Sequence, residues 1–451
     1  MSYKNGIINF LQRNEILITF SDNEDEGVTP IAAITSDNIV SESLNLKQSI
    51  CDNEALTFGG CIASELSIKL LNTAERQFTT ELTGRWINVQ ITQFYAEPDD
   101  VAYPSETLYP SNTLYPGTQV RSKSFYVFSG YIDSATIDKT DKNVINVKAY
   151  DFLAKLHQQD ATDFLYMFFK TSTGTHSLSY LLSQIISKSN NQVLDISYSG
   201  FSIYLQESYE GLTGASTTVG SFVPYNAQWM ERKDQITFGT LLKSLCEVLA
   251  VFCYVSPNSQ KGELTTTRLF GDIETYDFYE KCEAENYKST GNTDFKFSVY
   301  GNDRTGKSVT ALGGLTNAHP DAIDKTYGFS KNVLIMQEYV PSGQGRTSTN
   351  FDLLINKTSI GIRLAQNATI GGTYHTQFNS YQPLTATLDG RLWVPVGSPI
   401  EILVNKTTPD GSYVVDGDGN VVKESIETYV LSRTLTGIQA LTDNITVKGV
   451  R

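Results

Sequence analysis

Histidine, cysteine and positive charge are all scarce in this 451-residue chain. The four histidines, His157, His176, His319 and His375, are scattered without ligand spacing. There is no H-E-x-x-H and no G-x-S-x-G, so the zinc-protease helix and the nucleophile elbow are both missing. Five cysteines, Cys51, Cys61, Cys246, Cys253 and Cys282, include no C-x-x-C pair. An odd count at irregular spacing makes a poor disulfide framework, and all five are expected to be free thiols. Lys and Arg number 35 against 49 Asp and Glu, a net charge of -14, which argues against a nucleic-acid-binding surface. No stretch reaches the roughly 18 apolar residues that span a bilayer. The opening residues MSYKNGIINFLQRNE lack an apolar core and a small-residue cleavage site, so the expectation is cytoplasmic synthesis and no membrane insertion. Forty-nine acidic residues always offer carboxylate pairs, but nothing selects any two of them for glycosidase chemistry. No catalytic residue, cofactor site or metal ligand is assigned.

With 40% hydrophobic and 19% charged residues, the composition is that of a folded chain with room for roughly two to four domains. The N-terminal third alternates apolar and polar residues with a period of two. Ile16, Ile18 and Phe20 form one such series; Leu66, Ile68 and Leu70 another; Ile87, Val89 and Ile91, then Ile145, Val147 and Ala149, two more. That period belongs to antiparallel sheet with one wet face. DKTDKN at 138–143 supplies a turn between two strands. The period then changes: HSLSYLLSQIISKSN sets Leu178, Leu181, Leu182, Ile185 and Ile186 on one helical stripe, and TFGTLLKSLCEVLA does so with Leu241, Leu245, Val248 and Leu249. If that second helix runs through CEVLAVFC, Cys246 and Cys253 share one of its faces. Residues 200–230, rich in Gly, Ser, Thr and Tyr, read as a long loop, and SPNSQKGE as a turn before the strand LTTTRL. From about residue 290 strands return, as in IEILV and NITVKG. The expected fold is mainly β with α+β insertions: two small antiparallel β-barrels flanking α+β domains. The boundaries are 1–150 for the first barrel, 151–290 for the α+β middle and 291–451 for the second barrel region with associated α+β segments.

Three local motifs carry more specific expectations. YPSETLYPSNTLYPG at 103–117 repeats Tyr-Pro at Tyr103, Tyr109 and Tyr115. Proline at six-residue spacing excludes helix and disfavours a central strand, leaving an inserted loop at 98–122 with an aromatic stripe. Tyrosine on a pre-ordered backbone suits a binding surface, so the three tyrosines are candidate partner-docking residues; the alternative is a loop packed on its own barrel. GNDRTGKS, Gly301 to Ser308, matches the phosphate-loop consensus letter for letter, yet VTALGGLTN follows it instead of a helix. We read it as a polar hairpin turn. DGDGN at 416–420 fits a hairpin, and Val421 stands where a calcium loop needs its turn glycine. The run DNEDE at 22–26 reads as a solvated turn; neither acidic motif is assigned a metal.

Four segments together resemble one family in the same order along the chain: IVSESLNLKQSICDNEALTFGGCIASELSIKLLN at 39–72, FSGYIDSATIDKTDKNVINVKAYDFLAKL at 128–156, TFGTLLKSLCEVLAVFCYV at 237–255, and ETYVLSRTLTGIQALTDNITVKG at 427–449. They are similar to the tail hub or baseplate hub proteins of bacteriophages and phage-tail-like particles, a module that also forms the N-terminal part of tail-associated lysins and prophage endopeptidase tail proteins. The resemblance implies a homotrimeric structural virion protein at the tail tip, assembled in the host bacterial cytoplasm. Its implied partners are the distal tail protein or tail tube on one side and a tail spike, fibre or lysin on the other, with a tape measure protein in reach. It implies no enzymatic activity in the hub module itself. Two other readings compete: a receptor- or carbohydrate-binding tail adhesin using the Tyr-Pro rings, and a cell-wall hydrolase.

The phosphate-loop match yields a direct test. Titrating ATP into the protein by calorimetry is expected to give no binding heat, because a strand offers no cluster of N-terminal N–H groups to phosphate. Submillimolar affinity that Lys307→Ala abolishes is the contrary result.

Overall fold

The computed structural model describes residues 7, 11–22, 32–50, 60–72, 82–98, 118–161, 163–164, 176–177, 184–185, 187–188, 218–219, 237–249, 252–259, 262–267, 280–283, 286–289, 295–302, 308–315, 323–328, 384–406, 408 and 412–447. The fold is mainly β.

Eight strands come first: β1 (Leu11–Ser21), β2 (Ala32–Thr35), β3 (Asn45–Ser49), β4 (Gly60–Cys61), β5 (Glu65–Leu71), β6 (Trp86–Pro98), β7 (Thr118–Ile137) and β8 (Val144–Tyr150). Helix α1 (Phe152–Gln158) follows, then the short strands β9 (His176–Ser177) and β10 (Thr218–Val219) and helix α2 (Phe238–Leu249). The strand pair β11 (Phe252–Ser256) and β12 (Glu263–Thr267) is joined through the turn read at SPNSQKGE. Next are β13 (Glu280–Glu283), β14 (Asn286–Ser289), β15 (Phe295–Asn302), β16 (Ser308–Leu315) and β17 (Ile323–Gly328). The chain closes with β18 (Leu384–Asp389), β19 (Pro399–Asn405), β20 (Lys423–Thr436) and β21 (Thr442–Val447).

Thirteen of these strands form one sheet, running β14-β18-β21-β20-β3-β5-β8-β7-β6-β1-β2, with β19 and β13 branching from β20. The period-two reading holds in each N-terminal strand. Ile16, Ile18 and Phe20 are buried, as are Leu66, Ile68 and Leu70; Ile87, Val89 and Ile91; and Ile145, Val147 and Ala149. Their side chains share one core, so the sheet curls around its apolar face. Each fully buried aliphatic side chain there contributes about 1.5–3 kcal/mol relative to exposure. β7 pairs β6 along its first part and β8 along its last, with register shifts at Val89/Gln90 opposite it and at Ile132/Ser134 within it. Such bulges let a 20-residue strand bend. At Gly130 a Cβ would collide with the carbonyl oxygen of Tyr150, so only glycine lets β7 cross there. The turn at 138–143 is built on Asp138, whose Oδ1 accepts from Thr140 N at 2.9 Å while Oδ2 accepts from Asn146 Nδ2 at 3.0 Å.

The ends of the chain meet in the middle of this sheet. Ser432–Thr436 of β20 pair antiparallel with Asn45–Ser49 of β3. Leu435, Ile438 and Leu441 enter the core built by the N-terminal strands. Two polar clamps reinforce the seam. Glu42, with φ 56°, turns its carboxylate to accept from the backbone N–H groups of Ile438 at 2.8 Å and Gln439 at 3.2 Å. Beside it, Gln439 Nε2 donates to Asn14 O at 2.7 Å, Asn14 Nδ2 donates to Gln439 O at 3.2 Å, and Gln93 Nε2 donates to Asn14 Oδ1 at 3.2 Å. Asn14 and Gln93 are fully buried, so these amides fix the approach of the 437–441 turn rather than merely decorate it.

Where helices were expected, the structure agrees in part. α2 buries Phe238, Leu242 and Cys246 at four-residue spacing; the side chains of Leu241, Leu245, Val248 and Leu249 lie outside the described ones. The helix does not run through CEVLAVFC: it ends at Leu249, and Cys253 lies in β11. The aromatic and β-branched FCYV sequence favours strand, and β4 and β12 supply its pairing partners. Of the earlier helical stretch, His176 and Ser177 form a strand, Ile185 is buried in a helical turn, and Leu178, Leu181, Leu182 and Ile186 lie outside the described residues.

Between β20 and β21 the Arg433 guanidinium and the Asp443 carboxylate form an ion pair with 4% and 2% of their side chains exposed. Nε donates to Oδ1 at 3.2 Å, Nη2 to Oδ2, and Nη1 to the carbonyl oxygen of Val394 at 3.0 Å. Burial pushes the Asp443 carboxyl up and Arg433 opposes that shift. Removing one partner strands a buried charge, so Arg433→Met and Asp443→Leu should each cost about 3–5 kcal/mol in urea unfolding. The double substitution is expected to recover most of that loss. A double variant no more stable than the weaker single one would contradict this account.

Candidate functional site

The Tyr-Pro insertion is placed by its flanks. β6 and β7 are antiparallel neighbours in register out to Pro98 opposite Thr118, so the insertion caps a two-stranded arm. Tyr103, Tyr109 and Tyr115 themselves lie outside the described residues. The arm's base is anchored: the Phe125 ring lies 6.1 Å from that of Trp393, tilted by 41°, and Gln93 Nε2 donates to the Gly390 carbonyl at 3.2 Å. Along this arm β7 becomes exposed while β6 keeps Tyr95 buried. Val120 is 58% exposed, Tyr126 39%, and Leu11, at the adjoining end of β1, 41%. Arg121, Ser122, Lys123 and Ser124 between them are all exposed. Arg13 lies 4.5 Å over the Phe94 ring and pairs with Glu15 at 3.0 Å. This hairpin carries the candidate docking loop, with Val120 and Tyr126 on one face of β7 and Arg121 and Lys123 on the other.

A second constellation was not legible as one in the sequence. Cys61 and Cys253 are cross-strand partners in the parallel pair of β4 and β11. Cys61 Sγ lies 3.8 Å from His157 Nε2 on α1 and 3.7 Å from the Gly239 carbonyl oxygen on α2. Gly239 rests against the imidazole so closely that a Cβ would collide with the ring. Cys246 hydrogen-bonds Cys253. Burial pushes the Cys253 thiol up and, reinforced by Lys243, pushes the His157 imidazole down. A buried thiol whose pKa is pushed up packs as a small hydrophobe, and a thiolate nucleophile needs the opposite environment. The described cysteines Cys61, Cys246 and Cys253 are buried and form no disulfide. Among the described residues no group of three or more His, Cys, Asp or Glu is arranged to hold a metal ion.

Below this junction Asp151 starts α1. Its carboxylate accepts from Ser64 N at 2.8 Å and Leu153 N at 2.9 Å, while its own N–H donates to Ser64 O at 3.1 Å. One side chain therefore caps the helix and fixes the start of β5. Lys155 on the same helix lies 4.4 Å from the Tyr131 ring centroid and 5.9 Å from that of Trp86. Tyr131 is pushed up to about 12, mainly by burial and then by Asp133 and Asp151.

The remaining motifs lie between paired strands or partly outside the described residues. Asn302 of β15 pairs with Ser308 of β16, so GNDRTGKS bridges an antiparallel hairpin and a strand follows it. Residues 303–307 lie outside the described ones. Val415 pairs with Val421 across DGDGN, and Asp416 Oδ1 accepts from Asp418 N at 3.0 Å and Asn420 N at 2.8 Å. Those hydrogen bonds hold the Asp416 carboxyl below its usual range. In DNEDE, Asp22 pairs with Arg85 at 3.1 Å, and residues 23–26 lie outside the described ones. No helix among the described residues is long and apolar enough to cross a membrane.

No family model and no curated protein matches this sequence. Several solved structures follow a similar chain course. The tail protein from Neisseria meningitidis is 8% identical, with a TM-score of 0.45 over 97% of this chain and 96% of that one. The 43 kDa tail protein of prophage MuSo2 from Shewanella oneidensis is 11% identical, with a TM-score of 0.40 over 96% and 98%. A chain of the Francisella PdpA-VgrG complex is 12% identical, with a TM-score of 0.38; the alignment covers 99% of this chain and 54% of that one.

Asp151 gives the site a pH signature. Its carboxyl is pushed up to about 7 because burial outweighs the donated N–H bonds. A carboxyl whose folded pKa exceeds its unfolded value of about 3.9 stabilises the fold most when protonated, and that contribution is lost as pH rises through the folded value. Asp151→Asn keeps an acceptor for the helix cap but cannot titrate. Melting temperatures measured between about pH 4 and 8 should therefore fall more steeply for the wild type than for this variant. Parallel profiles would show that Asp151 does not titrate there.

Proposed function

We propose that the chain is a structural protein of a phage tail or phage-like particle, serving as a trimeric hub at its distal tip rather than as an enzyme. One observation carries this reading. The four segments that resemble tail hubs are far apart in sequence yet pack together. β3 and β5, from 39–72, pair with β20 of 427–449 on one side and with β8 of 128–156 on the other. α2 and β11, from 237–255, pack on β4 of the first segment and α1 of the second. Scattered chance similarities have no reason to converge on one contiguous body.

In this reading the curled N-terminal strands and the β18–β21 region are the two barrels of each chain, so three chains present six similar modules to a sixfold distal tail protein or tail tube. A cyclic arrangement closes its own interfaces and leaves none open. The opposite face carries a spike, fibre or lysin, and the lumen admits the tape measure protein and then DNA. A net charge of -14 suits such a wall, since little phosphate is held by an acidic lining. Tyr103, Tyr109 and Tyr115 dock a further tail component from the end of the β6–β7 arm. A density map of the whole particle tests the proposal: the expected result is three copies around the tail axis at its tip. Six or twelve copies in one ring, or copies hanging off the axis, would overturn it.

A further inference from the structure

The two edges of β7 are used unequally. β6 follows the strand from Thr118 to Tyr131, whereas β8 joins its other edge only from Tyr131 onward. Among the described residues no strand lies along that second edge over 118–126. Val120 to Ser124 are exposed on both faces of the strand, and Tyr126 is exposed as well. Which residues turn toward the open edge follows from β1. Asn14 O accepts from Gln439 Nε2 and Ile16 N donates to Ser36 Oγ, so both backbone groups point away from β6. Asn14 and Ile16 stand opposite Gln93 and Ile91 of β6. In an antiparallel ladder alternate residues bond to alternate sides. Ile91, Gln93, Tyr95 and Glu97 therefore bond β7, through Phe125, Lys123, Arg121 and Gln119. Pro98, opposite Thr118, falls on the other set, where the β7 ladder needs no N–H from it. Thr118, Val120, Ser122, Ser124 and Tyr126 thus turn N–H and C=O to the open edge, repeating about every 6.8 Å.

A row of donors and acceptors at that spacing matches the backbone of another extended chain. Native edges are commonly blunted by proline, by a bulge or by brevity. Residues 118–126 contain no proline, and the register shift at Val89/Gln90 lies beyond them. Val120, Ser122, Ser124 and Tyr126 share one face, and an added strand would extend it through cross-strand side-chain pairs. Arg121 and Lys123 lie on the other face and bear on which strand fits. Two copies of β7 paired antiparallel about Ser122 would set Arg121 opposite Lys123 twice, and like charges directly opposite are destabilising. We infer that the open edge of β7 takes up an extended strand of different sequence from another component of the particle, by β-strand addition. The inference rests on the chain being built into a tail or tail-like particle, and not on its place at the tip or on a threefold ring.

Proline substitution and hydrogen exchange test it. In the full-length protein, Val120→Pro and Ser122→Pro remove N–H groups that face the open edge, so melting should stay close to wild type. Lys123→Pro removes a bond to β6 and should melt several degrees lower. The double variant Val120→Pro with Ser122→Pro, folded by circular dichroism, should enter particles about tenfold less than wild type or worse, as two lost backbone hydrogen bonds imply. In wild-type particles, amides of 118–126 should exchange at least about tenfold more slowly than in the isolated protein. Ser122→Pro melting as low as Lys123→Pro, normal entry of the double variant, unchanged exchange, or β7 found paired with β7 of a second copy would overturn the inference. A density map with three copies at the tip and a bare β7 edge would keep the hub reading and discard this one. A strand seated on β7 in copies away from the tip would do the reverse.

Discussion

The ladder between β3 and β20 is the contact on which the rest of the molecule depends. It joins strands from the two ends of the chain, and everything on either side is hung from it: β5, β8, β7, β6 and β1 in one direction, β21 and β18 in the other. Backbone hydrogen bonds set the spacing of such a seam but do not select its register. Selection comes from the side chains that cross it. Leu435 and Leu46 are directly opposed and both enter the core, so a slip by one residue would turn Leu435 outward and bring a threonine into an apolar space. The Glu42 carboxylate and the Asn14–Gln93–Gln439 amides supply the directional part, because each donor has one acceptor at one register.

The arm follows from the same seam. Strands β6 and β7 extend past the core only because the 390–394 segment and the 437–441 turn fill the space beneath their middle. A hairpin without that support would be marginal in water. The exposed surface that the arm presents is therefore a product of how the C-terminal third docks.

Alternation made the strands legible, since residues such as Ile16, Ile18 and Phe20 encode strand and core face together. Turn chemistry did the same for DKTDKN and DGDGN, because Asp138 and Asp416 act within a few residues of themselves. What resisted reading was anything settled between distant segments. Cys253 was assigned to a helix face because CEVLAVFC is apolar throughout, and periodicity cannot separate a buried strand from a buried helix in so short a run. The approach of Cys61, His157, Cys246 and Cys253 has no local signal, as four elements contribute to it. Asp151 looked like one acid among 49; only burial against Ser64 N and the start of α1 distinguishes it. The Arg433–Asp443 pair was equally silent, its spacing of ten being meaningful only once a tight turn folds β21 back on β20.

The position of β20 also has a cost in time. Leu46 leaves the ribosome almost 390 residues before Leu435, its partner across the seam. At roughly 5–20 residues per second, β3 waits on the order of 20–80 s with one edge unmatched. Contacts of such long range slow folding, and an open strand edge invites pairing with another nascent chain. Lys47, exposed on β3, places charge on that strand and opposes such pairing while translation finishes. The same lateness confers order on assembly. The supports of the arm, Gly390, Trp393 and Gln439, are made late in the chain, so a newly synthesised chain has a seated arm only once its core is closed.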